Sequence, residues 1–246
     1  MSNLIDIVIP YGKAYHLENQ NSILPDHGEL RYCLRSIAKH LRNVGSIYII
    51  GANLPTWLQN VKTYPGPIDT PGANNASQNI YRKLSKAAER LDRFLYMNDD
   101  HYLLVDFDAR TFPNYYDGTF GSNTPPHQAM TSYRRTMNNT IELIGADAKY
   151  YDIHTPLVIE REGFQKLKKY DWTKHGGYCI KSLYAFNNDL DGEQTEDFKI
   201  PSVQSAQWLE RMFNNKTFFS THDNCFGNSM RDRMEQLYPD KSIFEK

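Results

Sequence analysis

The sequence is poor in cysteine, has almost no net charge and contains no long apolar run. Its three cysteines (Cys33, Cys179 and Cys225) are scattered and form no Cys-x-x-Cys pair, which argues against a disulfide framework and a zinc site. This cysteine usage favours a reducing compartment, so we expect a cytoplasmic protein. No stretch approaches a membrane span, and the chain does not open with a basic segment followed by an apolar one. We therefore expect no membrane span.

The charge balance and the length set the next limits. A formal net charge of −1 over 246 residues does not demand an acidic partner such as nucleic acid. With 40% hydrophobic residues the chain can bury a full core, and no internal repeat is visible. We predict a single domain over residues 1–246, with a nucleotide-binding half at 1–110 and an acceptor and active-site half at 111–246.

The first half alternates short apolar runs with amphipathic segments. Residues 4–9 and 46–50 have the composition of buried strands, and apolar side chains recur between them at helical spacing over 29–42. A second helix over 77–91 leads into a third strand that ends at Asn98. This order of strands and helices predicts an α/β fold with a mostly parallel central sheet flanked by helices.

The second half is less regular. Residues 111–128 mix Pro, Gly, Asn and aromatic side chains, which predicts a long ordered loop near the site. The acid-rich segment 186–199 has few apolar side chains, so we expect it to be exposed and mobile. A last strand is predicted at 216–220, and helices are predicted at 138–144, 162–170, 202–213 and 228–237.

The most informative stretch is 94–101, an apolar run that ends in Asn98, Asp99 and Asp100. In open α/β sheets, ligands bind outside the carboxyl ends of the strands, and Mg²⁺ is usually held by one or two carboxylates together with substrate phosphates. The stretch therefore suggests a metal-bridged nucleotide site. Two acids after a strand are also common in solvated turns and helix caps, so both interpretations stay open.

Two further polar clusters follow predicted strands or precede predicted helices. His222, Asp223 and Asn224 follow the strand at 216–220, and a second cluster at 152–156 includes His154. A histidine after a strand is often only a hydrogen-bonded structural residue. Since a doubly wound sheet brings strand ends together, three such clusters favour convergence on one site.

The order of several motifs adds a resemblance to a known family. The segments that carry it are 26–36, 47–50, 55–58 and 94–100, then 154–156 with Arg161, and finally 217–223 with Arg231, Tyr238, Pro239, Phe244 and Glu245. In this order they resemble the second, third and fourth conserved regions of the Stealth family of nucleotide-sugar-dependent hexose-1-phosphate transferases. The resemblance implies a fold related to the GT-A glycosyltransferases and a nucleoside-diphosphate sugar, UDP-sugar being the expected donor.

If a nucleoside-diphosphate sugar binds across the strand ends, the chemistry of the side chains suggests roles for particular residues. Asp99 and Asp100 would hold a divalent cation, Mg²⁺ or Mn²⁺, that bridges the donor pyrophosphate. His154 or His222 would be the general base for the acceptor hydroxyl. Arg161 and Arg231 are the candidate phosphate-binding cations, although Arg231 could equally be a surface residue of its helix. Asn74, Asn75 and Asn79 lie in a segment that matches an Asn-rich motif of the family and are candidates to contact the sugar. Asn98 and Asp223 are further candidates for substrate binding.

The chain departs from the family at two points. Members open with a strand followed by a Tyr-Thr-Trp-Val-Asp-Gly turn, whereas this chain has Pro10, Tyr11, Gly12 and Lys13, and His222 stands where an asparagine is usual. Three functions therefore stay open. They are sugar-1-phosphate transfer to a carbohydrate hydroxyl, ordinary glycosyl transfer to a saccharide, a protein or a hydroxylated base in DNA, and non-catalytic binding of a carbohydrate or nucleotide.

Overall fold

The structure is a computed structural model, and it describes residues 4–12, 26–123 and 131–246. The strands in these ranges are β1 (Ile5–Pro10), β2 (Leu41–Arg42), β3 (Val44–Gly51), β4 (Lys62–Pro65), β5 (Arg93–Tyr96), β6 (His101–Leu103), β7 (Phe107–Asp108), β8 (Tyr115–Tyr116), β9 (Leu157–Glu160), β10 (Glu193–Gln194), β11 (Lys199–Ile200) and β12 (Phe218–Thr221). The α-helices are α1 (Glu29–His40), α2 (Ala76–Ala88), α3 (Phe120–Asn123), α4 (Ser132–Ile144), α5 (Arg161–Gln165), α6 (Ile180–Asn187), α7 (Ala206–Asn215) and α8 (Asn228–Leu237).

A central five-stranded sheet has the strand order β4-β3-β1-β5-β9. The pairs β4–β3, β3–β1 and β1–β5 are parallel, and only β9 runs antiparallel to its neighbour β5. The predicted α/β class with a mostly parallel central sheet is therefore confirmed. The parallel strands end together at one edge of the sheet, which we call the carboxyl edge.

Both faces of the central sheet are buried, which explains why its strands are continuously apolar. Ile7 and Ile9 pack in a core cluster that includes apolar residues of α1, whereas Val8 between them packs with residues of α2 and α6 on the other face. All three side chains are fully buried. Alternate residues of one strand thus serve two separate apolar layers.

A second, three-stranded sheet continues the chain directly after the acid pair. Its order is β11-β12-β6, with β12 parallel to β11 and antiparallel to β6. His101 faces Ser220 across one pair, and Ser220 faces Lys199 across the other. This register brings two distant parts of the sequence, at Lys199 and Ser220, next to Asp100.

Several expectations for the second half need correction. The segment 186–199 was expected to be exposed and mobile, but its last residues pack against the second sheet. Lys199 begins β11, and the centroid of the Phe198 ring lies 5.3 Å from that of Phe218. The predicted loop at 111–128 contains β8 and α3, and its residues 124–128 lie outside the described ranges. The helix α6 and the strand β9 were not predicted, and neither was β6 in the first half. Among the described residues, no helix combines the length and apolar character needed to cross a membrane.

Candidate active site

The candidate site lies at the carboxyl edge, where two segments meet because of one antiparallel pair. Tyr96, the last residue of β5, faces Leu157, the first residue of β9. The residues after β5 and those before β9 must therefore occupy the same edge. This places Asn98, Asp99 and Asp100 close to the segment that contains His154.

Asp100 is held by residues of the second sheet. Ser220 Oγ donates a hydrogen bond of 2.8 Å to Asp100 Oδ2, and Lys199 Nζ lies 3.7 Å from the same oxygen. Burial opposes ionisation of Asp100, but the charge of Lys199 and nearby groups, together with the Ser220 hydrogen bond, lowers its pKa. Asp100 is therefore an ionised carboxylate near neutral pH.

Asp99 has the opposite environment, although it is adjacent in sequence. Burial, followed by the neighbouring carboxylates of Asp100 and Glu29, raises the pKa of Asp99 to about 8. Burial also raises the pKa of Glu29 to about 7, and the pKa of Tyr11 rises to about 12 through burial and the charges of Asp26 and Asp99. Negative charge at this position is thus poorly compensated by the protein.

His154 lies in a chain of polar contacts between two other side chains. His154 Nδ1 is 2.7 Å from Asp197 Oδ2, and His154 Nε2 is 3.0 Å from Lys199 Nζ. Because an ammonium group can only donate, Nε2 must accept, and we assign the ring proton to Nδ1, where it donates to Asp197. The backbone N–H of His154 also donates to Asp197 Oδ1 at 3.1 Å.

Asp197 is well suited to this role. Burial opposes its ionisation, but the hydrogen bond from the His154 ring lowers the pKa of Asp197. Asp197 is therefore a carboxylate that orients the imidazole and leaves Nε2 with its lone pair toward Lys199. The arrangement Asp197–His154–Lys199–Asp100 forms a continuous polar chain across the edge.

His222 follows β12 on the same side of the molecule. Its backbone N–H donates to Ile200 O at 2.9 Å, and its Nδ1 accepts from the Asn224 N–H at 3.2 Å. Burial and then the charge of Lys199 lower the pKa of His222, whereas Asp223 and Asp100 oppose this shift. His222 is thus neutral at pH 7 and close to the polar chain.

Asp223 and Arg231 form the outer part of this region. Arg231 Nη2 lies 2.9 Å from His27 Nδ1, and the His27 ring stacks on Phe226 with 4.7 Å between ring centroids. Burial and then the charge of Arg231 lower the pKa of His27, while Asp223 acts in the opposite direction. Arg231 is exposed and Asp223 is half-buried.

The predicted asparagines are divided between the site and its surroundings. Asn98 accepts a hydrogen bond from the Tyr96 hydroxyl at 2.7 Å and lines a cavity described below. Asn74 and Asn75 lie in a 3₁₀ turn just before α2, and Asn75 Nδ2 donates to the backbone of its own loop at Pro71. The structure thus places Asn98 in the site and Asn74 and Asn75 beside it.

Arg161 does not lie with the other candidates. It follows the last residue of the antiparallel strand β9, so it lies at the opposite edge of the central sheet. Its Nη1 atom pairs with Asp92 Oδ1 at 2.9 Å, and its Nε atom donates to Leu91 O at 3.3 Å. The sequence placed Arg161 seven residues after His154, but the direction of β9 carries it away from the site.

A cavity of about 350 Å³ opens next to His154. It lies between the first turns of α2, α4 and α6, and we call it the side cavity. Polar residues from all of these parts line it, among them Asn79, Asn98, Tyr133, His154, Lys181 and Lys199. His154 and Lys199 therefore belong both to the polar chain and to the cavity wall.

Sequence reasoning missed Asp197, Lys199, Ser220 and Lys181. A signal was present for the first two, because in 197–200 the polar Asp197 and Lys199 alternate with the apolar Phe198 and Ile200. Such alternation is typical of a strand with one buried face. The acidic residues that precede 197–200 led us to predict an exposed segment there instead of a strand.

The donor atoms at the edge suit a hard divalent cation that is shared with a substrate. Asp99 and Asp100 supply carboxylate oxygens, and the poorly compensated charge around Asp99 would be relieved by a cation. Among the described residues, no three His, Cys, Asp or Glu side chains gather as a metal-ligand set. Asp99 and Asp100 could hold such a cation together with phosphate oxygens of a substrate.

Comparison with known protein families and with curated protein sequences finds no match. Among solved structures, one similar chain is a glycosyltransferase involved in the glycosylation of the major capsid of PBCV-1, with 11% identity, a TM-score of 0.40 and coverage of 95% of this chain and 99% of that chain. Another is 4-diphosphocytidyl-2C-methyl-D-erythritol synthase from Anaerococcus prevotii, with 10% identity, a TM-score of 0.41 and coverage of 79% and 86%. At such low scores, the functional assignment depends on the residues of the chain itself.

Proposed function

We propose that this chain is a transferase, acting as one domain, that uses a nucleoside-diphosphate sugar. It moves a sugar-1-phosphate or a glycosyl group to an acceptor hydroxyl, and a UDP-sugar is the expected donor. The observation that supports this proposal best is the meeting of Asp99 and Asp100 with the Asp197–His154–Lys199 contacts at one sheet edge. A base and acids arranged around one cleft suit group transfer between phosphate and hydroxyl.

His154 would remove the proton of the acceptor hydroxyl. Its Nε2 lone pair is available once Lys199 turns toward the substrate, and Asp197 stabilises the imidazolium that forms. In sugar-1-phosphate transfer, the acceptor oxygen bonds to the phosphorus next to the sugar, and the bond from that phosphorus to the bridging oxygen breaks. In glycosyl transfer, the acceptor oxygen bonds to the anomeric carbon, and the bond from this carbon to phosphate oxygen breaks.

Lys199 would stabilise the negative charge that develops on the leaving phosphate. Its Nζ is 3.0 Å from His154 and 3.7 Å from Asp100, so it lies between the base and the acid pair. Asp99 and Asp100 would hold Mg²⁺ or Mn²⁺. Such a cation supplies further charge stabilisation on the leaving phosphate.

The remaining site residues have supporting roles in this proposal. Arg231 and Asp223 would contact the nucleotide part of the donor, since the charges of both act on His27 and Asp223 directly follows His222. Asn98 would contact sugar hydroxyls near the side cavity. Asn74 and Asn75, in the turn before α2, would contact them as well. Arg161 has no role in this scheme because it lies at the opposite edge.

The nature of the released nucleotide separates the two reactions. Sugar-1-phosphate transfer from a UDP-sugar releases UMP, as the resemblance to the Stealth family suggests. Glycosyl transfer from a UDP-sugar releases UDP. The altered opening turn at Pro10–Lys13 favours this second reaction. We would incubate the protein with UDP-sugars, Mn²⁺ and three acceptor types: saccharides, proteins and DNA containing hydroxymethylated bases.

The matched variant for this experiment is His154→Gln, which keeps a side chain that can hydrogen-bond but loses the base. We expect nucleotide release to fall by about 10²–10³-fold in this variant. His40→Gln is the control, because His40 also contacts a carboxylate (Asp106 Oδ1 at 3.0 Å) but lies outside the site. Nucleotide or sugar binding without turnover for any donor and acceptor would favour a non-catalytic binding protein.

A further inference from the structure

The side cavity has a direct connection to the proposed base. His154 and Lys199 line the cavity, and His154 Nε2 is the atom that faces Lys199. A hydroxyl that gives its proton to this nitrogen must come within hydrogen-bond distance of it. The molecule that carries this hydroxyl, the acceptor, is therefore placed most directly in the side cavity.

The size and lining of the cavity suit a sugar ring. A volume of about 350 Å³ lies within the usual range for small-molecule pockets. The lining combines the aromatic side chains of Tyr96, Tyr133 and Tyr178 with the amide of Asn98, while the amide of Asn79 is already bonded to the backbone of Thr70. Aromatic faces pack against the C–H faces of a sugar, and amides hydrogen-bond its hydroxyls.

The charge of the lining points to a further feature of the ligand. Lys181 is a buried cation. Among the described residues, its ammonium group donates hydrogen bonds to two neutral carbonyl oxygens, that of Ile153 and, at 2.9 Å, that of Thr155. The carboxylate nearest along the wall, Asp152, accepts the backbone N–H groups of Lys181 at 3.2 Å and Ser182 at 2.7 Å. Both oxygens of Asp152 are thus used to cap α6.

Burial lowers the pKa of Lys181, and the charges of Asp152, Asp197 and Asp100 oppose that shift. Among the described residues, none of these carboxylates is within ion-pair distance of the ammonium group, so its loss of water is compensated only from a distance. Lys199 adds a second cation to the cavity wall, although it shares its charge with Asp100. An anionic group inside the cavity could form a direct ion pair with Lys181. A neutral sugar could not provide this interaction.

We propose that the side cavity binds the acceptor and that this acceptor is a sugar with a negatively charged substituent, a carboxylate or a phosphate. The identification of the ligand as the acceptor rests on the proposed function. The binding of an anionic sugar in this cavity can nevertheless be tested without any turnover. D-glucuronate and D-glucose 6-phosphate distinguish the two sources of negative charge, and D-glucose is the neutral reference.

The experiment measures dissociation constants of the three sugars by ligand-observed NMR. For the wild-type protein we expect at least one anionic sugar to bind about tenfold more tightly than glucose. Ala76→Trp places a large side chain at the cavity wall on the exposed first residue of α2, and should abolish binding of all three. Ala206→Trp is the matched control on the exposed first residue of α7, and should bind the sugars like the wild-type protein.

A second variant tests the charge. Lys181→Met keeps the length of the side chain and removes the ammonium group, so the preference for anionic sugars should disappear while weak glucose binding remains. Circular dichroism checks the fold of this variant. If it does not fold, the Ala76→Trp and Ala206→Trp pair still tests the location of the site.

Three outcomes would overturn the inference: glucose binding as tightly as both anionic sugars, anionic sugars binding equally well to Ala76→Trp, or no binding of any of the three. These outcomes differ from failure of the proposed function, which is judged from nucleotide release. A protein that binds glucuronate or glucose 6-phosphate in the cavity but never releases UMP or UDP would keep the cavity assignment and lose the transferase assignment.

Discussion

Charged side chains differ in exposure between the two edges of the central sheet. At the carboxyl edge, the side chains of Asp100, His154, Asp197 and Lys199 are between 19% and 29% exposed and contact one another in a chain. At the opposite edge, Asp92 is 90% exposed in its ion pair with Arg161, and Glu160 is 66% exposed in its pair with Arg93. Desolvated charges interact strongly and are candidates for chemistry, whereas exposed pairs contribute little.

The strongest test of this comparison removes one acid from each edge. Asp99→Asn and Asp100→Asn should each lower nucleotide release by about 10³-fold, because each removes a charge expected to hold the catalytic cation. Asp92→Asn is the control at the opposite edge and should stay within about twofold of the wild-type rate. Equal losses in all three variants, or unfolding of the first two seen by circular dichroism, would make the acid pair structural.

A second test asks whether burial alone decides what an ion pair contributes to stability. Glu245 is 3% exposed and is held by Arg35 Nε at 2.8 Å and Arg31 Nη1 at 3.2 Å. Glu245→Gln should lower the free energy of unfolding at pH 7 by roughly 3 kcal/mol, because it leaves arginines without their partner. Glu89→Gln, which breaks the exposed pair with Lys86, should cost less than about 1 kcal/mol.

The same glutamate gives a pH dependence with a definite sign. Burial opposes ionisation of Glu245, but its hydrogen bonds with Arg35 lower its pKa from 4.5 to about 2. A lowered pKa in the folded state stabilises the protein above pH 4.5, and this contribution is lost as the pH falls toward 2. The difference in melting temperature between wild type and Glu245→Gln should therefore shrink over this range. A constant difference down to pH 2 would contradict the assignment.

A smaller effect is expected from the residue that positions the base. Asp197→Asn should lower kcat by about tenfold and leave KM for the donor unchanged, because the asparagine holds the His154 ring less firmly and cannot stabilise its charge. Asp197→Glu should restore part of the rate. Asp106→Asn removes the carboxylate from the exposed His40 contact and serves as the matched control. A rise in KM with unchanged kcat would show that Asp197 acts on binding instead.

The smallest effect is predicted for Arg161. Arg161→Ala should change both kcat and KM by less than about twofold and stability by less than about 0.5 kcal/mol, since its partner Asp92 is almost fully exposed. Lys199→Met provides the contrast within the carboxyl edge and should reduce kcat. A large loss of donor affinity in Arg161→Ala would mean that the opposite edge takes part in substrate binding.

Some site residues could be predicted because they are close to strong local signals. Asp99 and Asp100 follow a run of apolar residues, and His222 follows another. In both cases the apolar run predicts a strand, and the polar residues after it mark where the strand ends. Asp197 and Lys199 follow a stretch of acids that resembles a solvated loop. Their role depends on β11 pairing with β12, a contact between residues about twenty positions apart.

The case of Arg161 shows why sequence proximity can mislead. His154 and Arg161 are separated by a single four-residue strand, and a strand of this length spans about 13 Å. Because β9 starts at the carboxyl edge and runs toward the other, its two ends cannot belong to one small site. The direction of a strand in a sheet is a property of the whole fold and is not encoded in its own residues.

The sequence by itself determined the class of the fold, the strand that ends in the acid pair and the apolar faces of the helices, since these follow from local periodicity and composition. Only the tertiary structure decided which charges meet. The antiparallel direction of β9 and the register of β12 between β6 and β11 join residues 100, 154, 199 and 220, and they separate 161 from that group. Long-range pairing fixes these distances, and no local pattern carries that information.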